Sequence, residues 1–328
     1  MARKPILPCV ALLAAILFPI FVRDPYFLHA AIMTLLFGYL ASSWNIIGGL
    51  AGQHSFGHSA FFGIGAYTST LLLLYLNVPP LLGMIAGGLL AAAMSIGIGY
   101  PCFKLRGPYF ALSTLAFTEI FRVVVTTTEE VGSINLKGAA GILIPLRKGN
   151  SFVAFQFVEK AYYYYIILGM LLLILLIYSL IEKSRWGLYL AAIRDNEEAA
   201  RSIGINTTFY KMLALFISAF FGATAGTFYG QFLLYIEPIL FSSALGIEIL
   251  LIAIVGGAGT LMGPFIGSLI LTPISELTRT YLGGTYAGVQ LIIYGGVLVA
   301  VMMFAPQGIV PHVAKRYRAL LKGGRRPR

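Results

Sequence analysis

The chain has 328 residues, 59% hydrophobic and 11% charged, with a mean hydropathy of +0.87 and a formal net charge of +11. Soluble domains carry about a quarter charged residues, so this composition excludes an ordinary soluble enzyme or binding module. Nor does the positive excess indicate nucleic acid. Seven basic residues crowd the tail 306–328 (Lys315, Arg316, Arg318, Lys322, Arg325, Arg326 and Arg328), which reads as an anchor on anionic membrane lipid.

In chain order, the stretch MARKPILPCVALLAAILFPI places Arg3 and Lys4 before an apolar run, with no small-x-small cleavage site ahead of a soluble domain. It is expected to be an uncleaved first span. Ten candidate spans follow from hydropathy and length: 5–22, 28–48, 57–76, 81–100, 109–128, 161–181, 211–236, 244–262, 264–279 and 288–305. The runs do not alternate as barrel strands do. The fold class is therefore an all-α polytopic membrane protein of about ten transmembrane helices (eight to ten), forming one transmembrane domain over 1–328. With the N-terminus inside, sixteen of the 23 Lys and Arg residues fall in inner segments and six in outer ones. The positive-inside rule then sets both termini inside. The two cysteines, Cys9 and Cys102, lie in or beside apolar segments and imply no disulfide framework.

Two places break the apolar pattern in the same way. Residues 47–66 (IGGLAGQHSFGHSAFFGIGA) contain Gly48, Gly49, Gly52 and Gly57, and residues 255–268 (VGGAGTLMGPFIGS) contain Gly256, Gly257 and Gly259. Glycine permits unwinding and close helix approach. Non-helical backbone at membrane depth is tolerated only inside protein or beside water, and paired interruptions in two halves of a transporter point to its pathway. These glycines are candidate pathway positions; tight helix packing is the plainer alternative. Ten spans would make the two interrupted units parallel.

Near the first break, His54 and His58 are spaced i,i+4, but a metal site needs three or more ligands and no Cys, Asp or Glu is near in sequence. No metal or cofactor is expected. Gln53, His54, Ser55, His58 and Ser59 are read as polar contacts, structural or pathway-lining. Three carboxylates fall within or near spans. Glu119 has Arg122 at i+3 and Glu276 has Arg279 at i+3, each a local ion pair in prospect, whereas Glu248 has no evident sequence partner. An ionisable group at membrane depth is a functional candidate by default. Glu248 is open to an inter-helix hydrogen bond or an ion relay. Residues 129–160 form a long outer loop, open to a short helix or a docking surface.

Within the inner segment 182–211, residues 190–206 hold three of the chain's 12 acidic residues. Asp195 is a candidate N-cap, with Glu198 completing a capping box. Glu197 and Arg201 are spaced for an ion pair, Gly204 is placed to stop the helix, and Leu190, Ile193, Ala200 and Ile203 form an apolar stripe. A helix lying on lipid is usually basic on its polar face; this one is acidic at its start, which suits a protein partner.

The block GLYLAAIRDNEEAARSIGINTTFYK (187–211) resembles the cytoplasmic loop of ABC-transporter permeases for branched-chain amino acids, the M-type (LivM-like) subunit. GQHSFGHSAFFGIGAYTS (52–69), LRGPYFALSTLAFTEIFR (105–122), GGAGTLMGPFIGS (256–268) and FAPQGI (304–309) resemble family blocks in the expected order, over about residues 35–310. The outer loop departs, reading LKGAAGI (136–142) where the family usually has a Thr-Gly-Gly-type run.

The resemblance implies a transport permease of the bacterial inner membrane rather than an enzyme. It implies ATP-binding partner subunits, a second permease of the H-type, and a periplasmic substrate-binding protein. It assigns ATPase coupling to Arg194, Asp195, Asn196, Glu197, Glu198, Ala199, Ala200, Arg201 and Gly204, and makes 129–160 periplasmic and 306–328 cytoplasmic. The absence of any G-x-x-x-x-G-K-[ST] phosphate loop agrees with hydrolysis on another chain. The alternatives are a urea or short-amide permease, or an ion-coupled secondary transporter.

Overall fold

A computed structural model describes residues 6–22, 24–105, 108–132, 134–146 and 155–282, with scattered positions from 292 to 315. The chain is helical almost throughout these segments. Helix α1 spans Ile6–Phe21, α2 Pro25–Asn45, α3 His58–Leu76, α4 Pro80–Cys102 and α5 Pro108–Thr127. Helix α6 spans Lys160–Lys183, α7 Arg185–Asp195, α8 Glu197–Ser202, α9 Thr207–Leu233, α10 Ser243–Gly256 and α11 Gly263–Leu282. The last span expected from sequence, 288–305, lies for the most part outside the described residues.

The helix starts follow local chemistry. Asp24 accepts from the Tyr26 backbone at 2.8 Å, with Pro25 as the first helical residue of α2, the preferred place for a residue that lacks an N–H. Asn206 caps α9 and Ser242 caps α10 in the same manner. Asn77, in the left-handed region at φ 52°, ends α3, and Pro79 with Pro80 restarts the chain as α4.

Among the described residues six helical stretches are long and apolar enough to cross a membrane: Pro25–Leu50, His58–Leu76, Pro80–Cys102, Tyr109–Thr127, Lys160–Lys183 and Thr207–Leu233. Helix α10 is apolar but short, with 14 residues, and α1 has 16. The chain is thus an all-α, multi-pass membrane protein. Helix α9 is central and packs against α2, α3 and α4. Small residues permit the α3–α9 approach: a Cβ on Gly226 would lie 1.8 Å from the Phe62 carbonyl oxygen. Side chains Trp44, Tyr39 and Phe228 fill the core, while Leu82, Ile85 and Leu89 on α4 and Leu112, Ile120 and Val124 on α5 face outward. Without a hydrophobic drive between helices in lipid, this close packing holds the bundle.

Where it is described, the segment 129–160 forms short strands and a 3-10 turn at Gly138–Ala140 in place of an amphipathic helix. Strands β1 (Glu130–Val131) and β2 (Ile134–Asn135) form a small hairpin, and β3 (Ile142–Leu143) pairs antiparallel with β4 (Tyr235–Ile236), just beyond α9. Residues 147–154, including Arg147 and Lys148, lie outside the described residues.

Candidate functional site

Both expected interruptions are real, and they touch. Helix α2 widens into a π-helical turn over Ile46–Leu50, leaves helix at 51–57 and resumes as α3; α10 stops at Gly256 and α11 begins at Gly263. Asn45 joins the two breaks. Its Nδ2 donates to the Thr260 carbonyl at 3.0 Å, and its Oδ1 accepts from the Gly259 N–H at 2.8 Å. A Cβ on Gly49 would lie 2.5 Å from the Gly259 nitrogen, so only glycine lets these backbones meet. Gly257 and Gly259 carry φ of 122° and 77°, outside the range of ordinary side chains.

The charged segment sits on this joint. Arg194, in the last turn of α7, donates from Nη1 to the Gly49 carbonyl at 3.1 Å, and its side-chain stem lies over Gly52. That carbonyl belongs to the π-turn, where the helical ladder is interrupted. One guanidinium therefore ties the loop to the end of one broken helix and borders the other, where a Cβ on Gly259 would lie 3.3 Å from its Nη1. At the same end, Gly308 abuts Gly257: a Cβ on Gly308 would lie 2.3 Å from the Gly257 Cα.

Details of the loop differ from expectation. Asp195 ends α7 instead of capping the next helix. Asn196, extended at φ −159° and ψ 104°, caps α8 by accepting from the Ala199 N–H at 3.0 Å. The cap moved by one residue because α7 runs helical through Asp195, and a cap needs the extended conformation that only Asn196 adopts. Gly204 stops α8 as expected, at φ 89°, with Gly204 N–H to Arg201 O and Ile205 N–H to Ala200 O closing a Schellman motif. Leu190, Ile193 and Ala200 are buried, but Ile203 is 77% exposed and leaves the stripe, since α8 ends before it.

Glu197 turns inward, where a partner-facing charge is expected. It accepts from Lys211 Nζ at 2.8 Å, Thr207 Oγ1 at 3.0 Å and Arg201 Nη2 at 3.2 Å. Lys211 is only 2% exposed, so its ammonium requires this carboxylate. Partial burial pushes the Glu197 carboxyl up, but Lys211, Thr207 and Arg201 together outweigh it and hold the group below its ordinary value. Glu198 and Asp195 are exposed.

The remaining polar candidates separate into two places. His58 is fully buried between helices, its Nε2 2.6 Å from Ser218 Oγ, which in turn donates to the Ser43 carbonyl. Ser55 accepts from Trp44 Nε1 through its carbonyl at 2.7 Å. These bonds hold α2, α3 and α9 together. His54 packs beside Trp44, and Gln53 lies partly buried in the non-helical segment. Among the described residues no three His, Cys, Asp or Glu gather into a metal-binding group. Glu119 and Arg122 form the ion pair expected on α5, with Arg122 Nε 2.8 Å from Glu119 Oε1.

Glu248 lines a cavity of about 310 Å³ between α2, α3, α9, α10 and α11, together with Phe37, Tyr229, Thr272, Ser275 and Glu276. Sequence reasoning missed Glu276 as its companion. Pairing it with Arg279 on spacing alone hid the fact that α11 aims it at the same cavity as α10 aims Glu248; the Arg279 side chain lies outside the described residues. A second, more open cavity of about 430 Å³, lined by Glu119, Arg122 and Glu237, adjoins the first through Ile239, Ser242 and Ala244.

A helical membrane bundle with paired backbone interruptions, a folded loop seated on them and a polar cavity between its helices is a transport permease. The chain belongs to the family described as the branched-chain amino acid transport system / permease component, whose model matches residues 26–305. It is 29% identical over 300 residues to the high-affinity branched-chain amino acid transport system permease protein LivM of Salmonella typhimurium, covering 86% of this chain and 69% of that protein. The same identity and coverage hold for LivM of Escherichia coli. The permease protein LivH of Escherichia coli is 26% identical over 296 residues, 85% of this chain and 93% of that protein. No solved structure matches.

Proposed function

We propose that the chain is one membrane subunit of an ATP-driven importer of branched-chain or other hydrophobic amino acids in a bacterial inner membrane. In this reading α7 and α8 form the cytoplasmic coupling loop, and 129–160 faces the periplasm. Ten spans place both termini and the tail 306–328 inside; the return of Gly308 to the loop end of the bundle supports this arrangement. The partners are ATP-binding subunits, a second permease of the H-type and a periplasmic binding protein. The similarity to both LivM and LivH supports pairing between two related permeases.

One observation carries the mechanism: Arg194 seats the loop on the joint between the two broken helices. A force on α7 and α8 reaches the end of α2 through the Arg194–Gly49 hydrogen bond and the α10 break through Asn45, and α2 and α10 wall the Glu248 cavity. Closure of the ATPase pair pushes the loop, tilts the two interrupted helices, and exchanges outward for inward access. The exposed groups available to the ATPase are Asp195, Glu198, Leu188 and Ile203. Glu197 serves inside the loop, holding its shape.

The test is reconstitution. The chain, purified from native membranes with whatever remains bound, is placed in liposomes with its binding protein, and ATP-dependent uptake of radiolabelled leucine, isoleucine, valine and urea is measured. Leucine-class uptake that requires ATP and a co-purifying nucleotide-binding subunit is the expected result. Urea uptake would move the assignment to the short-amide permeases. Uptake that survives ATP removal and follows an ion gradient would establish a secondary transporter instead.

A further inference from the structure

Two carboxylates, Glu248 on α10 and Glu276 on α11, share one cavity with the aromatic rings of Phe37 and Tyr229 and the hydroxyls of Thr272 and Ser275. Thr272 is 1% exposed, and its Oγ1 has no hydrogen-bond partner among the described residues. A buried hydroxyl without a partner costs free energy, and an acceptor lining a cavity is satisfied by what enters it.

The chemistry of the lining narrows the occupant. Among the described residues no third metal-ligating side chain joins the two carboxylates, and aromatic faces favour an organic cation. An ammonium offers three donors, to be met by carboxylate and hydroxyl oxygens. Apart from Ser242, the rest of the lining is apolar, with Met33, Leu245 and Leu251 among its members, and receives an aliphatic side chain. The volume of about 310 Å³ falls at the small end of ligand sites, which run from about 300 to 1,000 Å³.

We infer that this cavity is the chain's own substrate subsite, in which Glu248 and Glu276, with Thr272, receive the ammonium group of an apolar amino acid during passage. The inference rests on the importer reading above and adds a selectivity that the membrane subunit itself imposes: an apolar solute lacking the ammonium is refused. The carboxylates are binding groups here, and transport needs no proton to move through them.

The experiment uses the assembled transporter in liposomes with its binding protein. Leucine uptake by the unaltered complex tests the importer reading; its absence overturns both proposals. Where it is present, Glu248→Gln and Glu276→Gln are each expected to lower uptake about tenfold or more, the scale of losing a hydrogen bond to a charged group. Full-rate uptake by both variants overturns the inference and leaves the importer reading standing.

A second readout avoids variants of the carboxylates. Ala244, one turn before Glu248 and lining the same cavity, is replaced in an Ala244→Cys variant lacking Cys9 and Cys102, and labelled with a small maleimide. Saturating leucine should slow the labelling, whereas 4-methylpentanoate, which keeps the aliphatic chain and carboxylate but has no ammonium, should not. Equal protection by both compounds, or by neither, refutes the ammonium subsite.

Discussion

Arg194 is 145 positions from Gly49 along the chain, yet it ties the loop to the interrupted end of α2. Its importance could not be read from its surroundings in sequence, where it is one charge among five in eight residues. Arg194→Ala removes a charged donor from an interrupted helix end, an interaction worth about 1.5–3 kcal/mol. Uptake by the reconstituted complex is expected to fall about tenfold while basal ATP hydrolysis continues, with Arg194→Lys restoring part of it. Undiminished uptake by Arg194→Ala would remove the residue from the transmission path. Other residue-scale readings were closer to hand. The Glu119–Arg122 pair and the stop at Gly204 follow from spacing and glycine conformation, both local properties. The cap at Asn196 was off by one because Asp and Asn are both good caps and adjacent, and the end of the preceding helix decides between them.

At the scale of elements, α8 has six residues and cannot be stable alone; Glu197 staples it to α9. Glu197→Ala leaves the Lys211 ammonium buried without its carboxylate, a loss of about 3 kcal/mol, read as a lowered unfolding temperature of the purified complex. The double change Glu197→Gln with Lys211→Met should recover most of it, and a double variant no better than the single one would deny that the pair is the cause. The pH dependence follows from the depressed pKa of Glu197. A carboxylate lowered in the folded state contributes fully above its unfolded pKa, about 4.3, and loses the contribution as pH falls through its folded value. The difference in unfolding temperature between the parent and the Glu197→Ala variant should therefore shrink on acidification below about pH 4.3 and stay constant above it. Sequence spacing suggested Arg201 as the partner of Glu197. Arg201 is indeed there, but Lys211, 14 positions away and read as the edge of the next span, is the buried one.

For the whole molecule, the outward surface of the loop end combines exposed apolar side chains, Ile203 and Leu188, with the exposed acids Asp195 and Glu198. A knob of this kind, rimmed by charge, suits a groove in a partner. The pair of changes Ile203→Asp and Glu198→Lys should abolish co-purification of the ATP-binding subunit while leaving the unfolding temperature of the permease chain unchanged. Retention of that subunit would place its docking surface elsewhere. The sequence by itself determined the class: a helical membrane protein, most of its spans, two glycine breaks and one charged loop. Those follow from hydropathy, from the need to satisfy backbone groups inside lipid, and from the conformational freedom of glycine, all of which act within a few residues. Only the tertiary structure decided that the two breaks meet through Asn45, that Arg194 lies across them, that Glu197 faces Lys211, and that Glu248 shares its cavity with Glu276. Each joins groups on different helices, and which faces of those helices meet is set by the close packing around α9, which no local pattern encodes.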